Sequence, residues 1–226
     1  MSRERILDNI RRARHRTGPA DVGSAEARLK TPPAGPLPAR GQLPRAERIQ
    51  MFVTMALQAK ASVARVADGS AVPAAIAEYL ASENLPARLR LAPDSRLTGL
   101  PWESRPLIDI STGRSDGNDA VSLCHAEAAI AESGTLMLAS GADAPTTLNF
   151  LPETEIVLLP ADDVMGGMEQ AWARLRARRG FSVDNVPAMP RTVNFITGPS
   201  RSADIGQKLQ MGAHGPRRLH IVVVGE

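Results

Sequence analysis

Cysteine is nearly missing from this chain: Cys124 is the one thiol among 226 residues. An internal disulfide needs two thiols, and a thiolate-held iron–sulfur cluster needs about four, so neither is expected in this chain. Aromatic residues make up 3%, which leaves Ala, Leu, Val and Ile to fill the core and little with which to stack nucleic-acid bases. The four histidines, at 15, 125, 214 and 220, lack zinc-site spacing, and there is no HExxH, so no metal site is expected. G-x-G-x-x-G, the P-loop pattern and the G-x-S-x-G elbow are also absent, which removes the standard nucleotide and serine-hydrolase signatures. No apolar run approaches the roughly 18 to 20 residues of a membrane span. The opening MSRERILDNIRRARHR has no apolar signal region, so a cytoplasmic protein is expected.

Positive charge is present but unevenly spread. The sequence pI is about 9.6. Residues 1–16 hold six arginines against Glu4 and Asp8, a net of +4, while the whole chain is +3, so the other 210 residues sum to −1. The basic end reads as a solvated amphipathic helix with Ile6, Leu7, Ile10 and Ala13 on one face. Nucleic acid is not the expected partner. Residues 17–44 follow, with six prolines and four glycines, a composition that reads as a linker or extended arm.

From Arg45 onward the pattern becomes regular. Helical spacing covers 45–61, 72–84 and 162–179, and short apolar strands are expected at 62–67, 87–92, 106–111, 119–125, 134–140, 155–160, 192–197 and 218–224. Alanine-rich AEAAIAES (126–133) reads as a short helix, and another helix is expected to follow Ser200. Alternating strands and helices predict an α/β fold: a Rossmann-like open, largely parallel sheet with helices on both faces, plus the N-terminal helical arm.

Ligands of such sheets sit at the carboxyl ends of the strands. Three corners there are rich in small polar residues: 111–119, 131–135 with 140–147, and 197–204. In the third, Gly198 suits an unusual backbone angle, Ser200 or Ser202 can cap a helix, and Arg201 can grip a phosphate or carboxylate with two parallel hydrogen bonds. Exposed N–H groups at a helix start favour an anion, but a simple cap explains the serines as well. His214, in the turn GAHGP, reads either as an acid, base or anion contact or as a ring bonded to a neighbouring carbonyl. Glu132 stands at the corner entering a strand, where a carboxylate can face a ligand. Asp204 in a first helical turn reads as structural.

These residues carry a family resemblance. The segments AEAAIAESGTLMLASG, ADDVMGGMEQAWARL and NFITGPSRSADIGQKLQMGAHGPRRLHIVVV are similar to the LUD-domain family of the lactate utilisation protein C type. The match is specific over about 120–224 and weaker over 45–119, and it makes 45–226 one LUD-type domain. It implies the fold of ribose-phosphate isomerases, glucosamine-phosphate deaminases and CoA transferases. It also implies a place in a system oxidising L-lactate to pyruvate, with iron–sulfur clusters on partner proteins and no cofactor in this chain. Gly134, Thr135, Thr197, Gly198, Pro199, Ser200, Arg201, Ser202, Asp204, Gly212, His214, Gly215 and Pro216 match the family's motifs. The resemblance therefore implies a small carboxylate or phosphate ligand at Gly134, Thr135, Gly198, Ser200, Arg201 and Ser202, with Glu132 and His214 as candidate catalytic groups. Two roles stay open: a non-redox subunit or accessory component of the lactate-oxidising assembly, and a free-standing CoA-transferase-like or sugar-phosphate enzyme in which Glu132 is nucleophile or base.

Overall fold

The computed structural model describes residues 3–15, 23, 27–28, 35, 37–180, 189–202, 210–212 and 214–225. The chain opens with α1 (Arg3–His15) and, after a 3-10 turn at Ala39–Gly41, enters α2 (Arg45–Gln58). Next come β1 (Ser62–Val66), α3 (Val72–Ser82) with Pro73 in its first turn, β2 (Arg88–Leu91), the short α4 (Ser95–Thr98) and β3 (Asp109–Thr112). β4 (Val121–His125), β5 (Ala128–Ile130) and β6 (Thr135–Ala139) lead to α5 (Thr147–Phe150), β7 (Thr154–Pro160), β8 (Val164–Met165) and α6 (Met168–Arg179). β9 (Val193–Ile196), β10 (Arg201–Ser202), β11 (Gln210–Met211) and β12 (Arg218–Val224) follow.

Six strands form one sheet in the order β1-β12-β7-β4-β2-β3, and every pairing in it is parallel. Parallel strands covered on both faces bury both of their sides, so they read as nearly continuous apolar runs. β7 and β12 fit this, with Ile156, Val157, Leu159, Ile221, Val222 and Val223 fully buried. Helices lie on both faces. On one, Tyr79 of α3 stacks on His220 of β12, ring centroids 3.8 Å apart. On the other, the buried Ser122 hydroxyl donates to the Leu148 carbonyl of α5 at 2.7 Å. The expected open α/β sheet is therefore present.

A second sheet, β8-β5-β6-β9, stands beside the first. It corrects the helix expected at 126–133. Ala128–Ile130 pairs antiparallel with Thr135–Met137 and parallel, on its other side, with Val164–Met165. Alanine's helix propensity is a preference of tenths of a kilocalorie per residue, and burial of three paired residues outweighs it. The absence of side-chain bulk also lets α6 pack close through Ala171 and Leu175, in one cluster with Ala128 and Ile130. The helix expected over 162–179 begins later, at Met168, because Gly166 and Gly167 interrupt it and both donate their N–H groups to the Gln170 side chain. The strand expected at 106–111 is displaced to Asp109–Thr112, after a turn closed by Ile108 N–H on the Arg105 carbonyl.

Candidate functional site

β9 runs out of the small sheet into Thr197 and Gly198, and here two family motifs meet. The Thr135 and Thr197 hydroxyls are 2.7 Å apart, and Ser133 Oγ is 2.7 Å from Thr135 Oγ1. Gly134 has φ +65° and Gly198 has φ +72°. A Cβ on Gly134 would lie 2.5 Å from the Ala56 nitrogen, and one on Gly198 would lie 2.1 Å from the Ala59 carbonyl oxygen. Both glycines thus let the small sheet press against the last turns of α2. The space beside their α-carbons is filled by protein backbone.

Ser200 ties the next stretch together. Its N–H donates to the Pro216 carbonyl at 2.8 Å, and its carbonyl accepts from Gly212 N–H at 2.9 Å. Its hydroxyl accepts from the backbone N–H of His214 at 3.2 Å. Arg201 and His214 are exposed on either side of this knot. Ser200 is not itself followed by a helix, because Arg201–Ser202 is a strand paired antiparallel with Gln210–Met211; the helix expected after Ser202, which that residue could cap, lies outside the described residues. Asp204 lies outside the described residues.

The segment then returns to the parallel sheet, with Arg217 and Arg218 N–H groups on the Glu153 carbonyl just before β7. The corner thus lies at the amino edge of the parallel sheet and not, as expected, at its carboxyl edge. Glu132 occupies a different place. Its carboxylate is 3.6 Å from Arg40 Nε, and its N–H donates to the Gly166 carbonyl. Among the described residues no hydrogen bond or ion pair joins Glu132 to His214.

The carboxyl edge holds a charged cluster that the sequence reading missed. Asp94, four per cent exposed, accepts from both the backbone N–H and the Nε of Arg96 at 2.9 Å. Burial pushes the Asp94 carboxyl up, but the Arg96 hydrogen bonds and charge outweigh it and hold it below its ordinary value. At the end of β4, His125 is 9% exposed, and burial, helped by the Arg96 charge, lowers its pKa to about 4. It is therefore neutral at neutral pH. Its Nδ1 has no hydrogen-bond partner among the described residues. The ring lines a recess of about 10 Å³ with Asp94, Asp143 and Asn149, room for about one water.

Just beyond β7, Asp163 is 1% exposed and accepts from Arg178 Nη2 at 2.7 Å and Arg174 Nε at 3.0 Å. Arg178 also donates to the Glu127 carbonyl at 2.9 Å, and Arg179 is 3.5 Å from the Glu127 carboxylate. This network clamps α6 to the ends of β4 and β7. Asp94, His125 and Asp163 each stand within three residues after an apolar run, and that position is the signal that could have found them.

Two further polar groups lie inside the sheet. Glu155 of β7 is fully buried, neither oxygen has a partner among the described residues, and burial raises its pKa well above the ordinary value. His220 is held by Ser62 Oγ at 2.8 Å from Nδ1 and by the Tyr79 ring, and burial lowers its pKa to about 4. Cys124 is buried and burial raises its thiol, so it behaves as a small apolar side chain. No helix among the described residues is long and apolar enough to cross a membrane.

The family model of the LUD domain matches residues 49–224. Lactate utilization protein C of Geobacillus thermodenitrificans is 38% identical over 46% of this chain and 42% of its own length. The protein of the same name from Geobacillus sp. WCH70 is 36% identical over 51% of this chain and 48% of its own, and that of Bacillus subtilis 35% over 47% and 42%. The match spans less than half the length of each of these relatives. In fold, the chain is similar to the crystal structure of a DUF162 family protein from Deinococcus radiodurans. The TM-score is 0.57 and the identity 24%, over 81% of this chain and 99% of that one.

Proposed function

The chain belongs to the LUD domain family, and from that premise we propose that it serves L-lactate utilisation as a subunit holding a small carboxylate. Its curated relatives carry the name lactate utilization protein C, which supports the role. The observation that carries the site is the Ser200 knot, which brings Arg201 and His214, two motifs apart in the chain, to one exposed corner. Arg201 has no ion-pair partner among the described residues, and a guanidinium matches a carboxylate with two parallel hydrogen bonds. His214, at the same corner, is the candidate acid or base. The hydroxyl of Ser200 accepts from the His214 N–H and keeps its own O–H to donate to the ligand.

Oxidation of lactate to pyruvate releases two electrons. In this reading iron–sulfur proteins act as partners and take those electrons, while the two protons released with them pass to water. The test is calorimetric titration of the whole chain with L-lactate, pyruvate and inorganic phosphate, beside Arg201→Ala. Binding of a carboxylate that weakens about 10- to 100-fold in the variant supports the site, because a charge-assisted pair is worth roughly 1.5–3 kcal/mol. Equal affinity of the two proteins for every anion sinks the site. Purification from a lactate-grown host tests the partners separately: stoichiometric iron–sulfur proteins support the subunit role, and a chain that co-purifies with none counts against it.

A further inference from the structure

Two uncovered apolar surfaces of this chain match each other. The first is the stripe Ile6, Leu7 and Ile10 on α1, exposed at 47%, 36% and 51%. An isolated helix of 13 residues is marginal in water, because packing of the apolar face supplies most of a helix's stability. The second is a groove of about 500 Å³ between α3 and segment 104–108, whose lining includes Leu80, Leu85, Leu107 and Ile108. At 89%, Leu107 is the most exposed large apolar side chain among the described residues. The stripe covers about 6 Å along the helix axis, well within the roughly 16 Å length of α3.

Charge agrees with shape. α1 carries five arginines against Glu4 and Asp8. At the groove, Glu78 lies beside Ala77 on α3 and Glu103 precedes Ser104. Both carboxylates are exposed, and neither has an ion-pair partner among the described residues. The one unpaired cation in the lining is Arg105, which donates to the Ser104 carbonyl, while Arg88 at the neighbouring strand is held by Asp109. Residues 16–36 separate α1 from the body. A segment of that length can span up to about 70 Å when extended.

We propose that α1 docks in this groove of its own chain, with its apolar stripe on Leu80, Leu107 and Ile108 and its arginines toward Glu78 and Glu103. The groove is an intramolecular seat and not a small-molecule pocket, and its occupant is the amphipathic arm.

The experiment uses the whole chain with Asn9→Cys, beside the stripe, and Ser104→Cys in the groove lining. Every apolar contact is kept, and the native Cys124 is buried. A short bismaleimide should link the two cysteines within one chain in dilute solution. The rate should be at least tenfold that of a control in which Leu57→Cys, exposed on α2, replaces Ser104→Cys. The excess should vanish when Ile6→Asp is added, and also when Glu78→Lys and Glu103→Lys are added together, changes that leave α1 itself intact. Equal rates for the two pairs overturn the proposal. So does an excess that persists in either variant, and so do links formed only between chains, which would seat the helix on a second copy.

Discussion

The hydroxyl of Ser200 accepts a hydrogen bond from the backbone N–H of His214, 3.2 Å away and fourteen residues along the chain. With the two backbone bonds that Ser200 makes to Gly212 and Pro216, it holds the candidate corner. Ser200→Ala should therefore cost about 1 kcal/mol of stability and loosen carboxylate binding by releasing the 212–216 turn. Arg201→Ala should leave the urea midpoint unchanged, since the side chain is exposed, and still weaken binding. Paired denaturation and calorimetry check this; a loss of stability in Arg201→Ala equal to that of Ser200→Ala would show that the arginine holds structure and not ligand.

Gly134 and Gly198 make a second prediction. At both positions a methyl group would press on the backbone of α2, at Ala56 and at Ala59, while φ lies in the left-handed region. Backbone cannot step aside as a flexible side chain can, so Gly198→Ala should cost roughly 3 kcal/mol or more, and Gly134→Ala a similar amount. Urea denaturation measures it. A loss under about 1 kcal/mol in either variant would mean that the small sheet does not pack on α2 this closely.

The sequence made the parallel sheet legible because buried parallel strands have a plain signature: EIVLLP and RLHIVVV became β7 and β12. It misled at AEAAIAES, where local helix propensity and tertiary pairing disagree, and pairing on both edges of β5 prevailed. It misled again at Ser200, where a serine preceded by glycine and proline reads as a cap but accepts from a residue fourteen places along the same chain. The cluster of Asp94, His125 and Asp163 leaves one faint trace in the sequence, the place of each member just after an apolar run, since no motif spacing connects residues that meet only because β2, β4 and β7 end side by side.

Asp163 supports a third prediction. Its carboxylate is almost fully buried and accepts from both Arg174 and Arg178, whose side chains are about a third exposed. Losing it removes charge-assisted hydrogen bonds but leaves guanidiniums that water can reach, so Asp163→Ala should cost roughly 1.5–3 kcal/mol. Asp8→Ala, which breaks the exposed pair with Arg11, should cost less than about 0.5 kcal/mol. Hydrogen exchange should show α6 losing protection first in the Asp163 variant, because the network is what clamps it. Uniform loss across the sheet would assign Asp163 to the general core instead.

The buried ionisable groups predict opposite pH effects. His125 and His220 titrate near 4 in the folded chain, against an ordinary value of 6.5, so below about pH 6.5 the unfolded chain binds protons that the folded one refuses. Stability is then lost as pH falls from about 6.5 to about 4, by up to roughly 3 kcal/mol per histidine. Glu155 has the reverse sign. Its carboxyl is raised by burial, so above its ordinary value near 4.5 the folded chain retains a proton that the unfolded chain has released, and stability falls as pH rises. Glu155→Met should therefore stabilise the chain more at pH 8 than at pH 5, while His220→Phe, which keeps a ring against Tyr79, should flatten the acid limb. Urea unfolding across pH 4–8 separates the two. A Glu155→Met gain that does not change with pH would mean the carboxyl already ionises freely in the folded chain, reaching water or a cation.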